Sequence, residues 1–222
     1  MFKRTKAVEE LFYDVLESSA SFELKEAYNS LCTNVLYPSS GEPSKRLVIT
    51  SSVYGEGKTT LAINLASALA SNLIDKKVLL IDADLRTPHV YDFMKSKISS
   101  SKNAGLSEYL TGKVDFPESC CGGVENLSVI FSGAPTLNPA GLLNSVRMKE
   151  FLVKCSEEYD YVIIDTPPVN LVSDALLLIG GVDGYIIAAK NKFSKIPALD
   201  ATQNSLNSVG ANVLGIVLTE VK

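Results

Sequence analysis

A glycine-rich stretch in the first third of the sequence carries the residue types that bind phosphate. It fits the pattern G-x-x-x-x-G-K-[ST], except that Ser52 stands at the position of the first glycine. Gly55 and Gly57 allow the backbone to curl so that several N–H groups point at one anion, and the dipole of the following helix adds to this attraction. Lys58 is placed to reach the terminal phosphates of a nucleotide, and the Thr59 hydroxyl to ligate Mg²⁺. The stretch therefore predicts a nucleotide site, to which we assign Tyr54, Gly55, Glu56, Gly57, Lys58, Thr59, Thr60 and, from a later segment, Arg86.

Two aspartates, Asp82 and Asp84, stand two residues apart at the end of a second apolar run. In an extended backbone, residues i and i+2 lie on the same face, so both carboxylates can point at the nucleotide. Phosphoryl transfer needs acidic groups that hold Mg²⁺, directly or through water, and a group that accepts the proton of the attacking hydroxyl. The alternative interpretation is that the pair caps the next helix. Arg86 either contacts a phosphate or pairs with a carboxylate, and the sequence favours neither.

A third apolar run, over residues 161–164, ends in Asp165. This is the arrangement of a Walker B aspartate, which holds a Mg²⁺-bound water opposite the phosphate loop. We therefore predict that Lys58, Asp82, Asp84 and Asp165 are catalytic and that Thr59, Asp82 and Asp165 serve the metal. Of the paired aspartates, we choose Asp84 to position the attacking group, although Asp82 fits the same role.

The elements that must position these residues are short β-branched strands that alternate with helices. Continuous Val/Ile/Leu runs indicate strands buried on both faces. Their alternation with helices predicts an α/β fold, a doubly wound, mostly parallel sheet with helices on both faces, whose ligands bind at the carboxyl ends of the strands. All three motifs fall at such ends. Strands are predicted over residues 47–50, 77–81, 127–131, 161–164, 184–188 and 213–218, and helices over 57–71, 140–158, 173–179 and 197–208.

The first 45 residues are predicted to form a helical extension that packs on the core. Helices are expected over residues 7–17 and 22–35, followed by a break rich in Pro, Ser and Gly over 38–43. Residues 46–222 are predicted to form the phosphate-binding domain. At this length the two parts together are expected to make one structural domain.

The composition argues against several classes of protein. The chain has 222 residues, is 46% hydrophobic and carries a net charge of -4, and this acidic balance argues against a nucleic-acid partner. The basic start of the chain is not followed by an apolar segment, so it is no signal peptide, and no apolar run is long enough to span a membrane. We therefore expect a soluble, cytoplasmic protein. Its cysteines, which show no zinc-ligand spacing, are expected to be reduced thiols: Cys32, Cys120, Cys121 and Cys155.

Three further features receive structural interpretations. His89 is interpreted as a residue at a helix start, since phosphoryl transfer does not require a histidine base. The Cys-Cys-Gly-Gly run over residues 120–123 is predicted to be a loop. Lys190, Lys192 and Lys195 follow a predicted strand and are expected in a solvated loop, although contact with the nucleotide or with a neighbouring subunit stays open.

With these motifs in place, the chain resembles the bacterial tyrosine kinases (BY-kinases) of capsule and exopolysaccharide synthesis over nearly its whole length. The phosphate-binding motifs are shared with a wider set of ATPases that position cell-division sites or partition DNA. The run Asp82-Ala83-Asp84-Leu85-Arg86 and the N-terminal segment with Glu26-Ala27-Tyr28 are more particular to the kinases. Further matching runs are Gly105-Leu106-Ser107, Ser132-Gly133-Ala134-Pro135, Leu142-Leu143-Asn144-Ser145 and the whole of 159–168.

The resemblance implies a protein-tyrosine kinase that uses ATP and Mg²⁺, phosphorylates tyrosines of proteins including its own, and regulates capsule or exopolysaccharide synthesis or export. It implies phosphate binding by Lys58, and metal and catalytic roles for Asp82, Asp84 and Asp165. It also implies activation by a membrane protein with a cytoplasmic tail, which recruits the kinase to the inner face of the membrane. Because the sequence starts at Met1 without a membrane segment, we expect the separate cytoplasmic partner of such a pair.

The sequence departs from the family pattern in two places. Family members carry a C-terminal cluster of tyrosines, whereas this sequence stops at Lys222. Where the family has Glu followed by two Arg at three-residue spacing, this sequence has Glu26, Asn29 and Cys32, and a Glu without either Arg cannot make the bidentate contact of the family's ring-shaped oligomer. We therefore expect no ring of the usual type and leave open whether another homo-oligomer forms. Both departures favour the alternative function, a positioning or partitioning ATPase that hydrolyses ATP without phosphorylating protein.

Overall fold

The computed structural model describes residues 20–37, 45–95, 104–116, 120–121 and 125–220. The helix predicted over 7–17 and the break over 38–43 lie outside these ranges. Helices are α1 (Phe22–Leu36), α2 (Lys58–Asn72), α3 (Val90–Met94), α4 (Leu106–Leu110), α5 (Pro139–Leu143), α6 (Val146–Glu158) and α7 (Ile196–Ser208), and a 3-10 helix spans Asp174–Gly181. Strands are β1 (Arg46–Ser51), β2 (Val78–Asp82), β3 (Cys120–Cys121), β4 (Leu127–Ile130), β5 (Tyr161–Asp165), β6 (Gly184–Lys190) and β7 (Val213–Thr219).

The described strands form one seven-stranded sheet in the order β3-β4-β2-β5-β1-β6-β7. Six strands run parallel, and β3 runs antiparallel to β4 at one edge. The predicted doubly wound, mostly parallel sheet is therefore confirmed. The register places Asp165 beside Asp82 on one side and Ile49 on the other, so the carboxyl ends of β2, β5 and β1 meet at one edge of the sheet.

Helices cover both faces of this sheet. The side chains of Leu47 and Ile49 lie on one face, which packs on α1 and α2. The side chain of Val48 lies on the other face, which packs on α6 and the 3-10 helix. Successive residues enter opposite layers because side chains alternate along a strand. This two-sided burial explains why the central strands read as continuous apolar runs. Within the described ranges, no helix combines the length and the apolar character needed to cross a membrane.

The helix α1 agrees with the prediction for residues 22–35 and lies on α2. Its first turn is capped by Ser21, whose hydroxyl oxygen accepts the N–H of Leu24 at 3.2 Å. Cys32 and Val35 are buried in the same apolar layer as α2. The division of the chain at residue 45 into an extension and a domain stays a prediction.

The prediction of a loop at Cys120 and Cys121 is wrong, because these residues form β3. Their partners are Val129 and Ser128 of β4. A two-residue edge strand depends on the free backbone of its partner strand rather than on its own side chains. Local sequence therefore carries no signal for it.

The single helix predicted over 140–158 is also wrong, because α5 and α6 are separate helices. The hydroxyl oxygen of Ser145 accepts the N–H of Met148 at 3.1 Å and so caps the start of α6. A residue with extended backbone at this cap interrupts the helical hydrogen bonds. The helix predicted over 173–179 is present as the 3-10 helix.

Candidate functional site

The phosphate-loop motif lies between β1 and α2, as its sequence predicts. Gly55 and Gly57 have φ of 84° and 85°, the left-handed conformation that residues with a Cβ rarely adopt. A Cβ on Gly57 would also lie 3.1 Å from the Thr219 hydroxyl. Tyr54 and Gly55 are exposed at the tip of the loop, while Thr60 is half-buried in α2. The loop therefore presents its tip to solvent and its base to the sheet.

Lys58 begins α2 and turns its ammonium group toward the strand-end aspartates. Its Nζ lies 3.2 Å from Oδ2 of Asp84 and 3.8 Å from Oδ1 of Asp165. Burial alone would lower the pKa of Lys58, but attraction by Asp165 and Asp84 outweighs it, and the pKa is raised above its usual value. Lys58 is therefore charged and neutralises part of the acidic cluster.

Asp165 ends β5 and is fully buried. Its Oδ2 accepts a hydrogen bond from the Thr59 hydroxyl at 2.7 Å. Burial raises the pKa of Asp165 above its usual range, although Lys58 and the Thr59 hydrogen bond act against this. The predicted proximity of the Walker B position to the phosphate loop is present in the described structure.

Asp82 ends β2 beside Asp165 and is also fully buried. Its Oδ1 accepts the N–H of Asp84 at 3.2 Å. Burial, followed by repulsion from Asp165 and Asp84, raises the pKa of Asp82 well above its usual range. Three carboxylates with one lysine leave this part of the site short of positive charge.

The oxygen atoms of this cluster fit a hard divalent cation. Oδ2 of Asp82 and Oδ1 of Asp165 are buried and make no hydrogen bond, and carboxylate and hydroxyl oxygens are the donors that Mg²⁺ prefers. Over the described ranges, no three His, Cys, Asp or Glu side chains surround a common metal position. The residues present therefore suit an ion that keeps several waters, held by Thr59 and, through water, by Asp82 and Asp165.

Asp84 does not cap a helix, which was the alternative interpretation of the aspartate pair. Its Oδ1 accepts the N–H of Thr87 at 2.9 Å and so closes a turn, whereas α3 begins only at Val90. Its other oxygen faces Lys58. His89 stands at the cap position of α3, which agrees with its interpretation as a residue at a helix start.

Arg86 pairs with a carboxylate, one of the two alternatives open from the sequence. Its Nε and Nη2 donate to the two carboxylate oxygens of Asp174 at 2.7 and 2.9 Å. Asp174 is fully buried at the start of the 3-10 helix, and sequence reasoning missed it. An acidic residue opening the very apolar run 174–181 is the signal that could have revealed it.

Glu56, assigned to the nucleotide site from the sequence, turns its side chain back into the loop. Both of its carboxylate oxygens are bound by this chain, one by Ser194 and the other by backbone N–H groups. Sequence reasoning missed Ser194, Thr202 and Thr219, which contact the loop from the last third of the chain. No local pattern marks these hydroxyl residues.

Of the three lysines predicted in a solvated loop, Lys190 instead ends β6, and Lys192 and Lys195 follow it. Lys192 and Lys195 are exposed. Lys190 pairs with Glu220, with 2.6 Å between Nζ and Oε1.

This site has the arrangement of a P-loop nucleoside triphosphatase. A strand leads through a glycine-rich loop into a helix that carries Lys58 and Thr59, and these two residues face the strand-end aspartates. The family described as an AAA domain matches residues 44–212, which agrees with this class.

More specific relatives are bacterial kinases. The chain is 35% identical over 198 residues to the tyrosine-protein kinase CpsD of Streptococcus pneumoniae, a match that covers 89% of this chain and 84% of the relative. The solved kinase domain of the Escherichia coli tyrosine kinase Etk has a TM-score of 0.79 and 32% identity, and covers 89% of this chain and 77% of that one.

An ATP-bound McdA variant from Cyanothece has a TM-score of 0.63 and 29% identity, and covers 80% of this chain and 71% of that one.

The chain therefore belongs to the bacterial tyrosine kinases of capsule and exopolysaccharide synthesis. The family, fold class and enzyme class predicted from the sequence are confirmed.

Proposed function

We propose that this chain transfers the γ-phosphoryl group of Mg²⁺-bound ATP to tyrosine hydroxyls of proteins, its own included. One observation carries the proposal: Lys58 lies between Asp84 and Asp165, with Asp82 beside them, at the end of a phosphate loop. Relatives named tyrosine-protein kinases support tyrosine as the acceptor, and an ATP-bound structural neighbour supports ATP as the donor.

Lys58 and Thr59 are proposed to act on the phosphates and the metal. Lys58 turns from the aspartates toward the β- and γ-phosphates, where its charge stabilises the transferring group. The Thr59 hydroxyl would hold Mg²⁺, and Asp82 and Asp165 would orient its waters; the ion would supply positive charge to the phosphates.

Asp84 is proposed to position the attacking tyrosine hydroxyl and to accept its proton. The turn N–H of Thr87 holds one carboxylate oxygen, so the other keeps a fixed direction. The Thr87 hydroxyl contacts this second oxygen at 3.4 Å. Once Lys58 moves to the phosphates, the oxygen loses its charged partner and has a lone pair available for a hydrogen bond from the tyrosine hydroxyl. Asp82 is the alternative for this role, since burial and the neighbouring carboxylates raise its pKa and so favour its accepting a proton.

The proposal extends to partners and location. Kinases of this family work in systems with membrane proteins. We propose that the cytoplasmic tail of such a protein, a component of polysaccharide export, activates this chain and recruits it to the inner face of the membrane. Tyrosine-bearing proteins are the proposed substrates.

A positioning or partitioning ATPase is the second candidate function. The observation in its favour is the similarity to the solved structure of a putative plasmid partition protein from Borrelia burgdorferi, with a TM-score of 0.59 and 27% identity, both lower than those of Etk. Such a switch would release free phosphate and leave proteins unlabelled.

The products of γ-labelled ATP separate the two candidates. Purified protein is incubated with Mg²⁺, with and without the tail of a candidate activator and a tyrosine-bearing acceptor, and the label is traced to phosphotyrosine or free phosphate. The kinase proposal predicts label on tyrosine that increases with acceptor. Free phosphate alone under every condition would leave the ATPase as the better account.

A further inference from the structure

The carboxylate of Glu56 binds the phosphate loop from within. Glu56 is 1% exposed, and its Oε2 accepts the N–H groups of Ser52 and Val53 at 2.7 and 2.8 Å. Hydrogen bonds from backbone N–H to a carboxylate are among the stronger ones in proteins. An anion inside the motif therefore fixes the first half of the loop independently of any nucleotide.

Ser194 binds the other oxygen of this carboxylate. The Ser194 hydroxyl donates a short hydrogen bond to Oε1 of Glu56 and accepts the N–H of Lys190 at 2.7 Å. The backbone N–H of Ser194 also donates to the carbonyl oxygen of Lys190 at 2.9 Å. Because Ser194 is held by the backbone of its own turn, its hydroxyl has a fixed position toward Glu56.

Two further hydroxyl groups hold the same loop from outside the motif. Thr219, at the end of β7, donates to the carbonyl oxygen of Glu56 at 2.9 Å. Thr202, in α7, is fully buried and donates to the Ser52 hydroxyl at 2.8 Å. The last third of the chain therefore supports the outer side of the loop at three points.

We infer that Ser194 is a positioning residue for phosphate binding, acting through Glu56. Its hydroxyl holds the Glu56 carboxylate against the backbone of the loop, so that the loop has its phosphate-binding shape before ATP arrives. Without Ser194, Oε1 of Glu56 would be a buried charged atom with a missing partner, and the carboxylate would turn toward water. The loop would then be ordered only when the nucleotide binds, which weakens binding. This inference rests on the proposed use of ATP.

The test compares Ser194→Ala with a matched control, Ser208→Ala. The Ser208 hydroxyl donates only to the Ser205 carbonyl oxygen on the exposed side of α7. Losing a hydrogen bond to a buried charged group is expected to raise KM for ATP and Kd for Mg²⁺-ADP by about 10-fold in Ser194→Ala, with kcat within about 2-fold of wild type. Ser194→Thr, which keeps the hydroxyl, is expected to restore both constants to within about 2-fold. Ser208→Ala is expected to match wild type.

A double-mutant cycle separates action through Glu56 from general loosening of the fold. Glu56→Gln and Ser194→Ala act on one contact, so the double variant is expected to be no worse than Glu56→Gln alone within about 2-fold. The inference would be overturned if the effects of the two single substitutions on KM and Kd multiplied in the double variant. It would also be overturned if Ser194→Ala and Ser208→Ala had equal nucleotide constants. A melting temperature for each variant shows which proteins are folded, and the Thr variant tests the hydroxyl if the Ala variant unfolds.

The proposed function and this inference fail in different ways. A wild-type protein that binds Mg²⁺-ADP but forms no phosphotyrosine contradicts the kinase proposal, while the ADP constants of the variants still test the role of Ser194.

Discussion

At the scale of single residues, Lys58 and three aspartates form a charge cluster that is costly without a ligand. Asp82, Asp84 and Asp165 are all fully buried, and among the residues that the structure describes, Lys58 is the one cation that pairs with them. The raised pKa of Asp82 expresses this cost, since burial and like charge both penalise its ionised form. Such clusters persist where a charged ligand completes them.

Asp82→Asn is predicted to stabilise the ligand-free protein while reducing phosphotransfer. The folded pKa of Asp82 lies above its unfolded value of about 3.9, so its favourable contribution is complete below that pH and is lost as pH rises through the folded pKa. The uncharged amide removes this loss, and we expect about 1–2 kcal/mol more unfolding free energy near pH 7.5. Urea titrations at pH 5 and 7.5 measure this. A variant less stable than wild type at the higher pH would contradict the charge argument.

Binding of Mg²⁺ and nucleotide is predicted to stabilise the protein, because the ion supplies the aspartates with positive charge that Lys58 supplies in the ligand-free protein. Free ligand at about 100 times its Kd should stabilise the wild type by about 2.7 kcal/mol. Asp165→Asn loses the carboxylate that faces Thr59, so its stabilisation by Mg²⁺-ADP should be markedly smaller. Melting curves with Mg²⁺-ADP, and with ADP and a chelator, report the difference. Equal shifts of the melting temperature in both proteins would show that Asp165 does not contribute to metal binding.

At the scale of secondary-structure elements, the phosphate loop depends on the junction of β1 and α2. Gly57→Ala is predicted to cost about 1–2 kcal/mol of stability, because of its φ of 85°, and also to weaken ATP binding. Gly112→Ala is the matched control, since Gly112 has φ of 78° with open space around it and lies outside the site. Both variants should lose stability in urea titrations, but only Gly57→Ala should raise KM for ATP. A similar KM in the two variants would show that the loop tolerates the change.

An ion pair joins Arg46, at the start of β1, to Asp183, the residue before β6. Asp183 accepts the N–H of Arg46 at 2.8 Å and its guanidinium at 2.6 Å. Burial would raise the pKa of Asp183, but the hydrogen bonds from Arg46 outweigh this and lower it. Stability from this pair is thus present above the unfolded pKa and is lost as pH falls through the folded one. Asp183→Asn should lower the unfolding free energy by about 1 kcal/mol at pH 7 and by less near pH 3. Urea titrations at the two pH values measure this difference. An equal loss at both pH values would exclude the charge of Asp183 as its cause.

The elements also show where sequence reasoning ends. The strands that carry Asp82 and Asp165 were predictable because their apolar runs and terminal carboxylates are local signals. The division of residues 140–158 into two helices depended on one cap at Ser145. The hydrogen bonds from Ser194 to Glu56 and from Arg86 to Asp174 join residues 138 and 88 positions apart, and no local pattern encodes such contacts.

At the scale of the whole molecule, the sheet order brings the three chemical motifs together. β5 lies between β1 and β2, so the phosphate loop and both acidic strand ends meet at one edge although 106 positions separate Thr59 from Asp165. This is the switch-point position at which doubly wound folds bind ligands. The family pattern and this geometry support the same proposal, a phosphotransfer site that uses Lys58 and the aspartates.

The most direct test of this proposal is the rate of phosphotyrosine formation by Lys58→Met and by the matched control Lys192→Met. Lys192 is an exposed lysine of the loop after β6, so the two variants remove the same charge from different places. With Mg²⁺, ATP, an activator tail and a tyrosine-bearing acceptor, we expect wild type and Lys192→Met to agree within about 2-fold and Lys58→Met to fall by about 100-fold or more. Phosphotyrosine formed by folded Lys58→Met at the wild-type rate would contradict the account.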